Sequence, residues 1–175
     1  MESFIQKQKN AMNKTKLDAQ DKRLLGVLTR DGHLSAGKIA EELNVTAPTI
    51  RTRMRNLIKA GVLKITGMVN PTHTRGLTVA LVGITVQNHE LLDAKLNEIA
   101  ALDRVNWCAV VTGRYDILVE IVCSEDIGDL YDFLNKDISR IGGILSSESF
   151  VVMKSRRKWL YLPEAVASAF GRAEK

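Results

Sequence analysis

The sequence predicts an α+β chain: an N-terminal (winged) helix-turn-helix followed by a ferredoxin-like βαββαβ domain. Three observations lead there. Three short apolar stripes at helical spacing, each preceded by a capping residue, occupy residues 17–60. Strand-like and helical patterns then alternate as βαββαβ over residues 77–153. Turn-forming pairs, Asp31-Gly32, Asn70-Pro71 and Gly142-Gly143, fall at the junctions.

The first helix opens at Asp18, a good N-cap, with Asp21 in its first turn. Leu24, Leu25, Val27 and Leu28 follow at inward spacing until Asp31-Gly32 stops it. Ser35 caps a second helix, 36–43, whose inward stripe is Ile39, Ala40 and Leu43. Asn44-Val45 makes the turn, and Thr46 caps a third helix that tolerates Pro48 in its first turn and runs to Ala60 before Gly61. Residues 62–69 alternate as a strand leading out of this domain, and Asn70-Pro71 is the expected hinge.

The third helix carries the chemistry. Ile50, Met54, Leu57 and Ile58 are spaced to face a core, whereas Thr49, Arg51, Thr52, Arg53, Arg55 and Lys59 fall on the other faces, with no acidic residue between Thr46 and Ala60. Arginine binds guanine or phosphate bidentately, and threonine meets a thymine methyl or a phosphate oxygen, so this set suits a helix lying in the major groove of double-stranded DNA. Ser35, Lys38 and Thr46 at the helix starts, with Lys64 beyond the third helix, complete the expected contact set. Charge distribution agrees. Residues 1–16, 17–66, 67–153 and 154–175 carry net +3, +4, −6 and +4. A basic N-terminal third beside an acidic centre suits phosphate attraction by one domain alone.

In the second half, 77–86 reads as a strand, 90–102 as a helix with Leu91, Leu92, Leu96 and Ile99 inward, and 105–112 and 115–123 as strands around Gly113-Arg114. A helix over 126–138 and a strand over 144–153 follow. The expected domains are therefore a polar basic arm (1–16), the helix-turn-helix (17–66), a linker (67–76), the βαββαβ domain (77–153) and a basic, aromatic tail (154–175). With both helices on one face of the sheet, the other face should be polar. Instead the first strand is apolar on both parities, Val79 and Leu81 on one and Ala80, Val82, Ile84 and Val86 on the other. The third strand behaves likewise, interrupted by Glu120. Another subunit's sheet is expected to cover that face, giving a homodimer that presents two recognition helices. The tail, with Trp159, Leu160, Tyr161 and Leu162 before Pro163, reads first as a segment docking on a sheet edge or dimer seam, with DNA contact or assembly as alternatives.

Composition limits the other classes. No apolar run approaches the roughly 18 to 20 residues that cross a bilayer, and residues 1–16 lack a secretory apolar core, so the cytoplasm is the expected address. Cys108 and Cys123 lie in strand-like runs, as buried thiols do, and the histidines His33, His73 and His89 stand apart from Cys and carboxylates at ligand spacing. Neither metal nor cofactor is expected, and no catalytic set is visible. A metabolite-binding adaptor without DNA binding is an alternative, separable by salt-dependent retardation of DNA.

Several stretches resemble the Lrp/AsnC (feast/famine) regulators: 18–25, Leu34-Ser35, Ile39-Ala40, 49–57, 61–63, Asn70-Pro71, and above all 111–116, Val-Thr-Gly-Arg-Tyr-Asp. The likeness covers about 17–153. It implies a RAM/ACT-like second domain, dimers assembling to tetramers or octamers, and control by an amino acid or related metabolite. By the same resemblance Thr112, Gly113, Arg114, Tyr115 and Asp116 build an effector pocket, with Ser147 and Ser149 where threonines are frequent. Chemically, backbone N–H groups at the Gly113 turn can hold a carboxylate, Asp116 an ammonium, and Arg114 a second anionic group. Without a ligand the same turn is a tight hairpin that Gly113 permits and Asp116 caps. Arg114 departs from a frequent acidic residue, and Trp107 from a polar one, which bears on ligand class. Sirohaem decarboxylases of the haem pathway share the two-domain plan, and a Soret band in the purified protein would point to that enzyme class.

Overall fold

The computed structural model describes residues 15–124, 127–163 and 165–167. They form two compact units divided between Thr66 and Gly67. The arm expected over 1–16 lies, save its last two residues, outside the described residues, as does most of the C-terminal end beyond Pro163.

The first unit contains α1 (Ala19–Arg30), α2 (Ala36–Leu43) and α3 (Ala47–Lys59). Each begins where a side-chain oxygen satisfies a backbone donor left free by the helix. Asp18 accepts from the Asp21 N–H at 2.7 Å while the Asp21 carboxylate accepts from the Asp18 N–H at 3.3 Å, a reciprocal box. Ser35 accepts from the Lys38 N–H at 3.3 Å and Thr46 from the Thr49 N–H at 3.4 Å. Asn44 closes α2 in the left-handed region, at φ 53°, and so turns the chain sharply into α3. Leu24, Val27, Leu28, Ile39, Ala40, Leu43, Ile50 and Leu57 form the core. Ile58, expected inward, is 49% exposed. At about 100° per residue it falls outside the stripe that Ile50, Met54 and Leu57 share.

The strand expected over 62–69 does not form. Gly61, at φ 68°, turns the chain back, and the N–H groups of Val62 and Leu63 donate to the Leu57 carbonyl at 2.9 and 3.2 Å. Those donors complete the end of α3, and among the described residues only Val69 makes a bridge, with Leu160.

The second unit runs β1 (Thr78–Val86), α4 (Leu92–Ala100), β2 (Val105–Val110), β3 (Ile117–Cys123), α5 (Ile127–Asp132) and β4 (Ile144–Val151), with α5 continuing as a π-helical turn, Phe133–Ile138. The sheet is antiparallel in the order β2-β3-β1-β4, the ferredoxin-like topology. Its helix-facing side buries Ala80, Val82, Ile84, Ile117, Val119 and Ile121 against Leu92, Ile99, Leu130 and Phe133. Leu91, expected inward, is exposed because it ends a 3-10 turn, His89–Leu91, whose tighter winding precedes α4. Burial raises both thiols, Cys123 to about 11, so these cysteines stay protonated at neutral pH.

The other face of the sheet receives the chain's own tail. Leu160 and Val166 pack on Leu77, Val79 and Val122. Beside them the Glu120 carboxylate, 3% exposed, accepts from the Lys158 ammonium and from Asn106 Nδ2, the latter at 2.5 Å. The Tyr161 hydroxyl reaches the Asn106 carbonyl at 3.0 Å. Further along the same face Leu81, Trp107 and Phe150 stand in register with Glu120, Trp107 and Phe150 being 39% and 43% exposed.

Candidate nucleic-acid interface and ligand site

Helical periodicity separates α3 into a core stripe and a broad outer arc. Thr49, Arg51, Thr52, Arg55 and Lys59 are all exposed on that arc. Thr46 and Thr49 share a hydroxyl contact of 2.8 Å at its N-terminus, and Arg55 extends toward Thr52 at 3.5 Å. Ser35 and Thr46 are the caps of α2 and α3, Lys38 is exposed on α2, and Lys64 is exposed beyond α3. Arg51 and Arg55 make no ion pair among the described residues.

Arg53 is different. Its Nη1 donates to Asp18 Oδ2 and Asp21 Oδ1, both at 2.7 Å, tying α3 to the capping box of α1. Only 29% of this side chain is exposed, so it holds α3 in place instead of standing free with its neighbours. Asn56, not singled out in the sequence, lines a shallow open depression with Pro48, Thr49, Thr52 and Arg53. Its i+4 spacing from Thr52 was the available signal.

The Asp21 backbone N–H first, and the Arg53 guanidinium second, hold the Asp18 carboxyl below its ordinary value of 3.8. A carboxyl lowered on folding adds stability above its unfolded pKa and loses it as pH falls through the folded one. Acid titration should therefore weaken the first unit from about pH 4 downward. In Arg53→Ala that loss should shrink but persist, since the Asp21 N–H remains. Circular dichroism melts of the two proteins between neutral and acidic pH check this, and identical acid profiles would refute the Arg53 contribution.

In the second unit, Thr112, Gly113 and Arg114 form an exposed turn between β2 and β3, with Gly113 at φ 121°, a conformation that favours glycine. Arg114 Nη2 lies 3.1 Å from Glu148 Oε2, and its guanidinium stands 5.5 Å from the centroid of the Tyr115 ring. The Tyr115 hydroxyl donates to the same Glu148 oxygen, which raises the tyrosine pKa. The Tyr115 ring sits directly over Gly83 and edge-on to Phe150 at 6.2 Å. Asp116 is partly committed: Oδ2 accepts the Val86 N–H at 2.9 Å and Oδ1 lies 3.7 Å from His89 Nδ1. Ser147 and Ser149 are exposed on β4, opposite Ile84 and Val82. They share the face of Ile84 and Val82, so the structure places them on the opposite side of the sheet from the Tyr115 ring and Glu148 and does not bring them together with Arg114 and Tyr115. Glu148, Gly83 and His89 were not identified from sequence. Glu148 had one available signal, a lone acid in the serine-rich strand opposite the unusual Arg114.

Among the described residues no group of three His, Cys, Asp or Glu is arranged for a metal ion, and no helix is long and apolar enough to cross a membrane. Comparison with known proteins accounts for both units. Residues 17–64 match the winged helix-turn-helix DNA-binding family, and residues 79–159 the Lrp/AsnC ligand binding domain. The chain is 31% identical over 149 residues to an uncharacterized HTH-type transcriptional regulator of Pyrococcus abyssi, covering 85% of this chain and 92% of that one. A crystal structure of a Pyrococcus horikoshii regulator of the same description superposes with TM-score 0.72 at 26% identity, over 82% of this chain and 97% of that one. The fold is shared also by a Neisseria meningitidis transcriptional regulator in complex with L-Met, with TM-score 0.66, 19% identity and coverage of 82% and 94%. The helix-turn-helix with its basic outer arc and the βαββαβ ligand domain thus belong to one known design, and the chain is a member of the Lrp/AsnC family of DNA-binding transcriptional regulators.

Proposed function

We propose that α3 reads the major groove of promoter DNA through Thr49, Arg51, Thr52, Arg55 and Lys59, that Ser35, Lys38, Thr46 and Lys64 meet the flanking backbone, and that Arg53 acts mainly as a positioning residue. The observation that carries this is the outer arc of α3: cations and hydroxyls exposed together, with no acid on the helix to oppose a phosphate. Two such helices are presented by a homodimer in which a second copy covers Leu81, Trp107 and Phe150, and dimers assemble further to tetramers or octamers. The protein works in the cytoplasm, without metal or cofactor and as a regulator instead of an enzyme. Its effector is an amino acid or close relative bound at Thr112, Gly113, Arg114, Tyr115 and Asp116, a reading supported by the L-Met held by the Neisseria protein of the same fold. There the Gly113 turn and Arg114 hold the carboxylate, and Asp116 Oδ1, the oxygen without the Val86 bond, faces the ammonium.

DNA retardation on the protein's own promoter tests the reading. Alanine at Arg51 or Arg55 should cost about 1–3 kcal/mol of binding if the side chain reads a base, with the melting temperature unchanged. Methionine or leucine should shift the retardation curve. Undiminished affinity in an Arg51→Ala/Arg55→Ala protein would exclude α3 as the reading helix.

A further inference from the structure

At the end of β1 remote from the Gly113 turn, the second unit has a cavity of about 550 Å³, within the range of roughly 300–1,000 Å³ that holds small ligands. Its apolar lining is Val152 and the exposed Met153, over Leu77 and Val79, which the tail leaves only 9% and 5% exposed. Lys154 and Arg156 stand on its wall and no Asp or Glu lines it. The only hydrogen bond of the Arg156 guanidinium among the described residues goes to the Ser155 carbonyl, at 3.1 Å.

Both walls are fixed before any ligand arrives. Asn70 Oδ1 accepts from the Thr72 N–H at 3.0 Å and the Thr72 hydroxyl at 2.6 Å, and the Asn70 carbonyl accepts from the Thr74 hydroxyl at 2.8 Å. That locks the short 3-10 turn Pro71–His73 on one side. On the other, Val152 donates to the Val79 carbonyl at 2.9 Å where β4 ends, so Lys154 and Arg156 leave the sheet from an anchored point. Preorganised walls reduce the ordering cost of binding.

We propose that this cavity is a second small-molecule site, and that it takes an organic acid with an apolar body and no amino group. A carboxylate meets two cations there and the body lies against Val152 and Met153. An ammonium meets no acceptor carboxylate and two like charges, so an amino acid is disfavoured. A phosphodiester would use the cations but leave the apolar lining uncovered. The site is separate from the proposed effector turn, which bonds to β1 at Ile84 and Val86. Along a strand rising about 3.3 Å per residue, that is roughly 16–23 Å from Val79. A ligand here would touch the 71–73 turn, which follows the division between the two units, and so would act on the segment leading to the DNA-binding domain.

The test is calorimetric titration of the full chain with 4-methyl-2-oxopentanoate. The oxo acid should bind, an excess of leucine should not displace it, and Lys154→Ala/Arg156→Ala should weaken it about tenfold or more, the effect of losing a charge-assisted contact. Arg114→Ala should leave it unchanged. Should the alanine pair melt early, Lys154→Gln/Arg156→Gln carries the same expectation. Undiminished binding in the double variant, loss of binding in Arg114→Ala, displacement by leucine, or no heat up to about 10 mM oxo acid would each overturn the proposal. Failure here leaves the effector reading standing, because that reading is carried by leucine or methionine acting on DNA retardation.

Discussion

Lys158→Met should destabilise the second unit by about 3 kcal/mol, the lower end of the range for breaking a buried ion pair. The reason lies in which partner is left behind. Glu120 keeps 4% of its side-chain surface, whereas Lys158 keeps 27%. Removing the ammonium leaves a carboxylate in the sheet with Asn106 as its other polar contact. Urea unfolding of the second unit should show the drop as a lower midpoint. Glu120→Gln in the same protein should recover most of it, since a neutral amide needs no counter-charge. An unchanged midpoint in Lys158→Met would mean that the tail contributes nothing to the stability of this face.

Gly83→Val should be nearly as damaging, by overpacking and by displacing Tyr115. A Cβ at this position would stand 2.5 to 2.7 Å from three atoms of the Tyr115 ring. The ring can leave only by giving up its hydroxyl bond to Glu148 and its edge contact with Phe150. Overpacking of this kind costs about 1–3 kcal/mol, and the lost hydrogen bond about 1 more. Gly83→Val/Tyr115→Ala should restore much of the overpacking loss while leaving the hydroxyl bond absent. If the single variant melts like the parent, Tyr115 is not seated over Gly83 in solution.

Local chemistry in the sequence was enough to place most of the fold. Asp18, Ser35 and Thr46 cap the helices that their positions indicated, and the βαββαβ order follows from switches in apolar period. What eluded it was partnership across distance. Arg53 looked equivalent to Arg51 and Arg55, yet its partners lie 35 and 32 residues upstream. Glu120 looked like a break in an apolar strand, and its counter-charge arrives 38 residues later from the tail. The apolar second face of the sheet was rightly expected to need a cover, but part of that cover is the chain's own Leu160 and Val166. Residues 62–69 have the alternation of a strand, but a strand also needs a neighbour, and Val62 and Leu63 are bound to the end of α3. The extent of the Tyr115 cluster was hidden for the same reason, since Gly83, Glu148 and Phe150 meet it only through strand pairing.

The strapping of the tail across the sheet sets an order of events during synthesis. The helical core takes every buried member from between Leu24 and Leu57, so it can close while the ribosome is still making the sheet. The sheet cannot finish its second face until Leu160 and Val166 have emerged, well after β4 itself. A message truncated after β4 would therefore yield a nascent chain whose first domain is complete and whose second retains a bare apolar surface and an uncompensated Glu120, the kind of product that chaperones retain and proteases remove.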